Sequence, residues 1–559
     1  MNHYNNILFL AESAMQLFGR SWRATVALGI VLLSACATPE HESSSDIAAD
    51  IAVSGGSLRG LVTGEGANSL KQYHGIPYAA PPLGSLRWAP PAAVVPWEGV
   101  LDATSPGAFC TQPRHMGVGF YITNRTNLSE DCLTINVWTR ADLVNERRPV
   151  LFWVHGGGLE GGSGSEQTGG LLTEKGAVLV TFNYRLGRMG FLAHPELSAE
   201  SPKGVSGNQG FRDQIAALGW VHENIAQFGG DPDNITIFGE SAGSTSISVL
   251  QASPMARGLF HRAIGQGGAA FHPLPDRLVD KPYAPAGETV GKMFAQALAG
   301  DSGDVSLSAL RALPAERIVE VARSSPVFST YEGLPIVDGE VLPDEIANIF
   351  ARGEQADVPT LIGSNANEGA ALIEYFTGFL GEGVEGFTRF KMAFLREATD
   401  EIDEIYSADD PQGVMQSWQD LFTDVTFTYP MRRWAREMAN VESNVYLYLF
   451  NWHPPVAAGR EKYKSFHGAE LGYVFGQLTM FGAKPDESDR AFSELMAETW
   501  VRFAVTGDPN GGPVQSWQPF TPENEAYFVL GPELRSDSDL RLPEMTLIEN
   551  AWRKRRDTE

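Results

Sequence analysis

Short apolar runs alternate with amphipathic stretches along the chain from about residue 51 onward. Residues 150–154 (VLFWV) are apolar throughout and are bounded by Pro149 and His155, which is typical of a strand buried on both faces. Residues 209–228 place apolar side chains at helical spacing and predict a crossover helix. Further strands are predicted at residues 58–62, 133–138, 177–182, 234–238, 259–264, 359–363 and 445–450, and helices over most of 370–440 and at 490–505. This alternation indicates an α/β fold, with a mixed, mostly parallel central sheet, helices on both faces and a helical C-terminal region.

The same pattern sets the domain organisation. At about 150 residues per domain, a chain of 559 residues has room for several domains. No internal repeat, low-complexity tract or interdomain linker interrupts the sequence after residue 50, so residues 51–559 are predicted to form a single domain. Residues 75–97 are rich in Pro and Gly and predict an irregular loop within it.

The N-terminal region has the features of a secretory signal. Residues 24–35 are uncharged and mostly apolar, and they follow Arg20 and Arg23. The run is too short to span a bilayer, which takes about 20 apolar residues. We therefore predict a signal peptide over residues 1–35, with Met15 as an alternative start.

The signal ends in Leu-Ser-Ala-Cys, with the cysteine at position 36. This resembles a bacterial lipobox, in which the cysteine is lipid-modified and becomes the first residue of the mature protein. Cys36 is the predicted lipidation site. Residues 36–50 are polar and predict a flexible tether. The lipid anchor is the only membrane contact that we expect. The chain is then exported and bound to the cell envelope, with the outer membrane preferred. The alternative is an ordinary secretory signal, which leaves the protein periplasmic or secreted.

Composition narrows the range of partners. The formal net charge is −26 and the pI about 4.9, which argues against nucleic acid because phosphate binding needs basic stripes. We interpret the excess of acidic residues as a feature that keeps the protein soluble.

After export two cysteines remain, Cys110 and Cys132. A disulfide across their 22-residue spacing would stabilise the folded protein by about 3 kcal/mol in the chain-entropy model. Two free thiols are the alternative.

Residues 239–243 (GESAG) form a G-x-S-x-G motif, which is weak evidence alone but has the flanks that the chemistry requires. A strand is predicted before it and a helix can start after it, so the serine lies on a tight, strained turn. The glycines two positions before and after this serine allow the backbones of the strand and the helix to pass close to each other. Ser241 is therefore the candidate nucleophile, with the positive end of the following helix beneath its hydroxyl.

A serine hydroxyl needs a base, and the base needs a carboxylate that orients it. The histidines after Ser241 are His261, His272, His453 and His467. His467 is the candidate base, because it lies among small residues in a loop after the strand at 445–450. His453 is the rival, but Pro454 restricts its backbone and favours a structural role.

The candidate acid is Glu368, which follows directly on the predicted strand at 359–363. Functional side chains of α/β sheets lie at the carboxyl ends of strands. Asp338 is the alternative, although the Asp338–Gly339 pair is more typical of a turn.

Hydrolysis also requires donors for the oxyanion. Residues 155–158 (HGGG) follow the buried strand at 150–154, and a run of glycines lets backbone N–H groups converge on one point. Gly157 and Gly158 are the predicted donors, with the N–H of Ala242 as the third. Loss of one such donor costs about 2.7–4 kcal/mol of transition-state stabilisation.

Taken together, these motifs resemble the type-B carboxylesterase family of the α/β-hydrolase fold, the branch that includes the cholinesterases. The resemblance runs from about residue 51 almost to the end. The matching stretches are residues 75–79 (GIPYA), 81–84 (PPLG), 129–133 (SEDCL), 183–187 (NYRLG), 207–210 (GNQG), 228–232 (FGGDP), 238–243 (FGESAG), 367–369 (NEG), 467–471 (HGAEL) and 506–510 (TGDPN).

The resemblance implies a Ser-Glu-His triad and an oxyanion hole at the positions already singled out. It also implies a disulfide between Cys110 and Cys132, a small-molecule ester as substrate, and no cofactor or metal. No metal-ligand spacing in the sequence contradicts this. The expected activity is hydrolysis of carboxylic esters through an acyl-enzyme, rising with pH as His467 deprotonates near about 6.5.

Two departures from the family pattern bear on the site. Residue 267 is Gly where family members usually carry Ser, so the polar network around Glu240 is expected to differ. The tryptophan with which cholinesterases bind a quaternary ammonium has no clear equivalent, Tyr121 being only a weak candidate, so choline specificity is not supported. Four aromatic residues can line a pocket, although each is expected to pack in the core: Phe271, Phe376, Phe427 and Trp452.

Two alternatives to an ester hydrolase stay open. They are a hydrolase of another acyl substrate (amide, lactone, carbamate or polyester) and a non-catalytic binding protein on the same scaffold.

Overall fold

The structure of the protein, a computed structural model, describes residues 46–558 except 67–68, 117–122, 143, 145, 282–283, 326, 329–332, 396–399 and 408–410. The predicted signal peptide, the lipidation site Cys36 and Tyr121 lie outside the described residues. Residues 46–50, the last part of the predicted tether, belong to the folded unit. Asp46 and Ile47 pair with Val62 and Leu61 at the edge of the main sheet.

The central sheet of the described chain has twelve strands. They are β1 Asp46–Ile47, β2 Leu61–Thr63, β3 Leu70–Pro77, β4 Thr134–Thr139, β5 Arg148–Val154, β6 Val178–Phe182, β7 Gly230–Glu240, β8 Arg262–Gln266, β9 Thr360–Asn365, β10 Val445–Phe450, β11 Ala526–Leu530 and β12 Arg535–Ser538. Their order across the sheet is β1-β2-β3-β4-β6-β5-β7-β8-β9-β10-β11-β12.

The strands from β6 to β11 in this order are mutually parallel, and the pairings at both ends of the sheet are antiparallel. The inner strands are apolar because helices cover them on both faces, and all five residues of β6 are buried. The mostly parallel sheet predicted from the sequence is confirmed. β3, β11 and β12 were not predicted, and the run predicted at 58–62 is split at Gly60 between two sheets.

Nine helices of the described chain have ten residues or more. They are α1 Gln209–Asn224, α2 Ala242–Ala252, α3 Gly287–Ala299, α4 Gly369–Leu380, α5 Gly383–Leu395, α6 Pro411–Thr423, α7 Tyr429–Met438, α8 Glu487–Thr506 and α9 Leu542–Thr558. Shorter α-helices are Gly170–Glu174, Gly187–Gly190, Pro195–Glu200, Leu307–Arg311, Ala315–Ala322, Ile346–Ala351, Asp400–Ile405 and Leu471–Val474. One turn of π-helix, Asp424–Thr428, joins α6 to α7.

Small sheets flank the main one, and a disulfide lies beside them. Their strands are Ile51–Val53, Gly56–Arg59 and Val100–Asp102 in one, Phe109–Cys110 with Leu128–Ser129 in another, and His115–Met116 with Thr123–Asn124 in a third. Cys110 and Cys132 are buried and bonded to each other, which confirms the disulfide. None of the described helices is both long and apolar enough to cross a membrane.

Candidate active site

Ser241 lies on the sharp turn between β7 and α2. Its φ of 57° and ψ of −123° lie in a region that residues with a Cβ rarely adopt, as expected for a strained nucleophile turn. The turn is held by the Ser241 N–H, which donates to the Gln266 carbonyl at 2.8 Å, and by the Ser241 carbonyl, which accepts from the Thr245 N–H at 2.9 Å.

The two glycines of the motif allow the close approach that this turn requires. A Cβ on Gly243 would lie 2.0 Å from the Val154 carbonyl oxygen, and one on Gly239 would lie 2.5 Å from the Gly243 carbonyl carbon. The turn therefore packs directly against the end of β5, so that the loop after β5 lies beside Ser241.

The structure brings Glu368 and His467 together. Glu368 follows β9 and is 1% exposed, and its Oε2 lies 2.7 Å from His467 Nδ1. The other oxygen, Oε1, accepts from the Asn365 N–H at 2.7 Å, so the carboxylate is fixed from both sides. This geometry orients the imidazole with Nε2 pointing away from Glu368.

The His467 loop is tied to the end of β9 by Asn365. The Asn365 side-chain amide donates to the Phe466 carbonyl at 2.8 Å and to Glu470 Oε2, and the Asn367 N–H donates to the Ser465 carbonyl at 3.0 Å. These hydrogen bonds fix the position of the His467 loop relative to the end of β9.

The rival residues lie elsewhere. His453 is exposed and lines a separate surface depression with Trp452. Asp338 accepts the backbone N–H groups of Glu340 and Leu342, both at 3.0 Å, which is the turn role expected of an Asp-Gly pair. Neither contributes to the Glu368–His467 arrangement.

Sequence reasoning expected a polar network around Glu240 but missed the contact of Glu240 with His467. His467 Nε2 lies 3.2 Å from Glu240 Oε1, so the residue before Ser241 contacts the imidazole nitrogen that a general base would use. Glu240 occupies the variable position of the G-x-S-x-G motif, and its side chain reaches His467 only because the elbow and the His467 loop pack together. The spacing of the motif carries no signal for this contact.

Burial and charge together shift the pKa values of this cluster. Burial by itself would lower the pKa of His467, but the carboxylates of Glu240 and Glu368 outweigh it and raise this pKa to about 9. Burial raises the pKa of Glu240 to about 8 and that of Glu470 to about 7, and in both cases the charge of His467 opposes the rise. The cluster therefore holds its protons to a higher pH than the same groups do in water.

Two of the three predicted oxyanion donors lie at the cavity that Ser241 lines. Gly158 and Ala242 line the same cavity as Ser241, and the Gly157 carbonyl closes a turn by accepting from the Glu160 and Gly161 N–H groups at 3.1 and 3.0 Å. Among the described residues, none provides an acceptor for the N–H groups of Gly157, Gly158 or Ala242. Gly157, Gly158 and Ala242 therefore remain the predicted oxyanion donors.

A cavity of about 450 Å³ opens in front of Ser241, and we refer to it as the Ser241 cavity. Its aromatic lining consists of Phe271, His272, Phe394, Phe427, Tyr429 and Trp552, and its aliphatic lining includes Leu159, Leu334 and Val425. The Phe427 ring also packs against the His467 imidazole, with ring centroids 4.6 Å apart, so the cavity wall contacts the candidate base directly. The volume suits a small-molecule ligand.

Of the four aromatics considered from the sequence, Phe271 and Phe427 are buried in the core, as expected, and also line the cavity. Trp452 stacks on Phe492 with centroids 4.3 Å apart and lies outside the cavity lining. The side chain of Phe376 lies outside the described part of the chain.

Gly267 lies beside the candidate acid. A Cβ at this position would lie 2.8 Å from Glu368 Oε1, so a side chain here would meet the Glu368 carboxylate. The Gly267 φ of 57° adds a backbone reason for glycine.

The elbow at the end of β7, the acid after β9 and the histidine loop after β10 define the α/β-hydrolase class. The sequence profile of the carboxylesterase family matches residues 48–547, and the chain belongs to this family. It is 34% identical to a fumonisin B1 esterase of Sphingopyxis macrogoltabida over 84% of this chain and 85% of that protein.

Two other relatives extend the comparison. Identity is 34% to the para-nitrobenzyl esterase of Bacillus subtilis (strain 168), over 86% of this chain and 95% of the relative. The chain is also 34% identical to carboxylesterase 1D of Rattus norvegicus, over 91% of this chain and 94% of that relative. The protein is accordingly a carboxylic ester hydrolase, as the sequence predicted.

Proposed function

We propose that the protein hydrolyses esters through a covalent acyl-enzyme on Ser241. His467 Nε2 accepts the hydroxyl proton as Ser241 Oγ bonds to the ester carbonyl carbon. The imidazolium then gives this proton to the departing alcohol as the C–O bond breaks. Water, deprotonated by the same nitrogen, attacks the acyl-enzyme, and the proton returns to Ser241 Oγ as the acid leaves.

Glu368 holds the imidazole in the required tautomer and stabilises the imidazolium. The backbone N–H groups of Gly157, Gly158 and Ala242 stabilise the tetrahedral oxyanion. The observation that supports this proposal most directly is the 2.7 Å contact between Glu368 Oε2 and His467 Nδ1 next to a strained Ser241.

The substrate is proposed to be a small-molecule ester. Relatives named for para-nitrobenzyl and fumonisin B1 ester hydrolysis support this class, and a cavity of about 450 Å³ admits such a ligand. An amide, a lactone, a carbamate or a polymeric ester is the alternative substrate, because its hydrolysis uses the same triad chemistry.

The decisive experiment measures hydrolysis of p-nitrophenyl esters, from acetate to decanoate, by the protein without residues 1–36 and by its Ser241→Ala variant. We expect turnover by the former and loss of at least about 10⁴-fold in kcat for the latter. A wild-type protein that is folded, hydrolyses none of the esters and does not react with a fluorophosphonate would refute the nucleophile assignment. Labelling without turnover would point to a different acyl substrate.

Export and lipid anchoring through Cys36 are proposed from the sequence alone. Expression of the full chain and of its Cys36→Ala variant in a diderm bacterium, followed by membrane fractionation and mass spectrometry of the mature N-terminus, tests them. An unmodified wild-type N-terminus or an equal soluble fraction in both would contradict the anchor.

A further inference from the structure

Glycine dominates the loop that carries two of the predicted oxyanion donors. Five of the seven residues from 156 to 162 (GGGLEGG) are glycine, and we refer to residues 155–162 as the glycine loop. Glycine has no side chain that locks a loop by packing, and it loses more conformational freedom on folding than other residues do. Oxyanion stabilisation nevertheless requires N–H groups that are fixed before the reaction starts. The loop must therefore be held by contacts from other parts of the chain.

The beginning and the middle of the glycine loop are attached to the segment that follows β6. The Tyr184 hydroxyl donates to the His155 carbonyl at 2.8 Å, and the Gly187 N–H donates to the Leu159 carbonyl at 2.7 Å. The Tyr184 ring also stacks on the His155 imidazole with ring centroids 4.4 Å apart. The end of the loop, at Gly162, is attached to a different part of the chain.

Gln112 holds the end of the glycine loop with its side-chain amide. Its Oε1 accepts from the Gly162 N–H at 2.9 Å, and its Nε2 donates to the Gly162 carbonyl at 3.0 Å. The same Nε2 donates to the Cys110 carbonyl at 2.9 Å. One buried amide therefore pairs with both polar backbone groups of Gly162 and ties them to the segment that follows Cys110.

The segment that carries Gln112 is itself fixed by backbone pairing. The strand Phe109–Cys110 pairs with Leu128–Ser129, and the N–H of the next residue, Thr111, continues this pairing with a hydrogen bond of 3.1 Å. The Gln112 amide binds the carbonyl of Cys110 and not its sulfur, so this support does not require the disulfide.

Gly162 connects this support to the oxyanion donors. At a φ of 111° its backbone packs closely on the start of the loop, and a Cβ here would lie 2.6 Å from the Gly156 carbonyl oxygen and 2.4 Å from His155 Nδ1. The residue before it, Gly161, donates its N–H to the Gly157 carbonyl at 3.0 Å. A shift of Gly162 would therefore move both the start of the loop and the predicted donor Gly157.

We propose that Gln112 is a positioning residue for ester hydrolysis, which sets the direction of the Gly157 and Gly158 N–H groups. Gln112 is not among the described residues that line the Ser241 cavity, so it acts through the glycine loop and not on the ligand. The inference rests on the proposed function, because it adds a residue to the oxyanion stabilisation of the same site. A misplacement of about 1 Å in catalytic groups costs about 100-fold in rate.

The test compares Gln112→Met, which keeps the length of the side chain but lacks the amide, with Gln251→Met as the matched control. Gln251 is also buried, and its amide pairs with Thr360 Oγ1 and Trp434 Nε1, both at 2.9 Å and both outside the glycine loop. With p-nitrophenyl butyrate we expect kcat of Q112M to fall at least about 30-fold, with KM within about 3-fold of the wild type. Q251M should keep the wild-type kcat.

An alkyl trifluoromethyl ketone supplies a readout that a merely structural role would not move. Ser241 Oγ bonds to its carbonyl carbon, the hydroxyl proton passes to His467 Nε2, and the carbonyl oxygen becomes an oxyanion that needs the same N–H donors. The Ki of this inhibitor should rise in Q112M by the factor by which kcat/KM falls. General destabilisation, checked by thermal unfolding, would leave the Ki of the folded protein unchanged in both variants.

The outcomes separate this inference from the proposed function. Wild-type kcat or an unchanged Ki in Q112M, or a kcat loss of equal size in Q251M, overturns the inference and leaves the esterase assignment intact. If Q112M does not fold, Gln112→Asn replaces it, because the shorter amide cannot reach Gly162 and Cys110 together, and wild-type kcat in Q112N overturns the inference. A folded wild-type protein without turnover and without a fluorophosphonate label refutes the proposed function and the inference with it.

Discussion

His467 Nε2 lies 3.2 Å from Glu240 Oε1, while Nδ1 of the same ring lies 2.7 Å from Glu368 Oε2. The imidazole is therefore placed between two buried carboxylates. A contact of this length between Nε2 and a carboxylate oxygen requires a proton on one of the two atoms. The protonated state of His467, in which Nε2 cannot accept a proton from Ser241, is thus stabilised by the residue that immediately precedes the nucleophile.

The first prediction concerns the pH dependence of the wild-type enzyme. The pKa of His467 is raised to about 9, and catalysis needs its neutral form, so activity rises with pH and the acid limb of kcat/KM lies above the 6.5 of an unperturbed histidine. A kcat/KM profile from pH 5 to 10 with a neutral ester measures this. An acid limb at or below 6.5 would show that Glu240 and Glu368 do not hold the proton on His467 in the free enzyme.

The second prediction concerns Glu240. Glu240→Gln removes a negative charge that raises the pKa of His467, so the acid limb of kcat/KM should move to lower pH by at least about one unit. Glu470→Gln is the matched control, because Glu470 is also buried but contributes less to the His467 pKa and should shift the limb less. A purely structural role of Glu240 would lower kcat without moving the limb. Equal shifts in both variants would contradict the special position of Glu240.

The sequence predicted those parts of the fold and site that local pattern controls. The apolar run at 445–450 coincides with β10, and the flanks of the G-x-S-x-G motif form the strand and helix that position Ser241. β3 was missed because its residues LKQYHGIP mix polar and apolar types, and its strand character comes from pairing with β2 and β4 on either side. Tertiary pairing overrides local propensity at such positions.

The electrostatics of the site were beyond the sequence for a related reason. A pKa near 6.5 was expected for His467 because nothing in the spacing of residues 240, 368, 467 and 470 indicates that their side chains meet. One elbow and two loops bring them together, and only their joint burial gives the pKa of Glu240 its value of about 8. Residue identity predicted Glu368 and His467 as partners, and packing determines the pKa of His467.

The third prediction compares two neighbouring glycines of the HGGG loop. Gly157 has a φ of 103° and a Cβ there would lie 2.3 Å from the Gly161 carbonyl oxygen, whereas Gly158 has a φ of 68° and open space around the Cβ position. Gly157→Ala should therefore displace the loop and lower kcat by at least about 100-fold, the loss of one oxyanion donor. Gly158→Ala meets only backbone strain of about 1 kcal/mol and should retain more activity. Circular dichroism and thermal unfolding check that both variants are folded. The reverse order of activities would contradict the assigned loop geometry.

The fourth prediction concerns the disulfide. The Cys110–Cys132 bridge closes a loop with a separation of 22 residues, which in the chain-entropy model stabilises the fold by about 3 kcal/mol. The free energy of unfolding of the Cys110→Ser, Cys132→Ser double variant should be about 3 kcal/mol lower than that of the wild type. At low temperature its kcat should be unchanged, because neither cysteine lines the Ser241 cavity. Urea unfolding with and without reductant measures the difference. A reductant effect on the double variant equal to that on the wild type would show that the loss has another origin.

The last prediction concerns the support of the cavity wall by Asp424 and Arg541. Asp424 starts the π-helical turn that carries the lining residues Val425 and Phe427, and its Oδ2 accepts from the Tyr406 hydroxyl at 2.7 Å and lies 2.9 Å from an Arg541 guanidinium nitrogen. Burial raises the pKa of Asp424 from 3.8 to about 7, against the opposing charge of Arg541. A raised folded-state pKa means that stability from this group is complete below 3.8 and is lost as the pH rises to about 7.

Arg541→Met removes the cation that partly offsets this loss. At pH 5 Asp424 is protonated in the folded state of both proteins, so this electrostatic loss should be small. At pH 8.5 the variant should be about 2 kcal/mol less stable than the wild type, a value reduced from that of a fully buried pair because Arg541 is one-third exposed. Urea unfolding at both pH values measures the difference, and Arg541→Lys, which keeps the charge, is the control. In the Asp424→Asn background the effect of Arg541→Met should depend less on pH, since only the carboxylates of Glu544, 3.4 Å from the guanidinium, and Asp420 remain to interact with it. A loss of equal size at pH 5 and 8.5 in the Asp424 protein would show that Arg541 acts through packing and not through its charge.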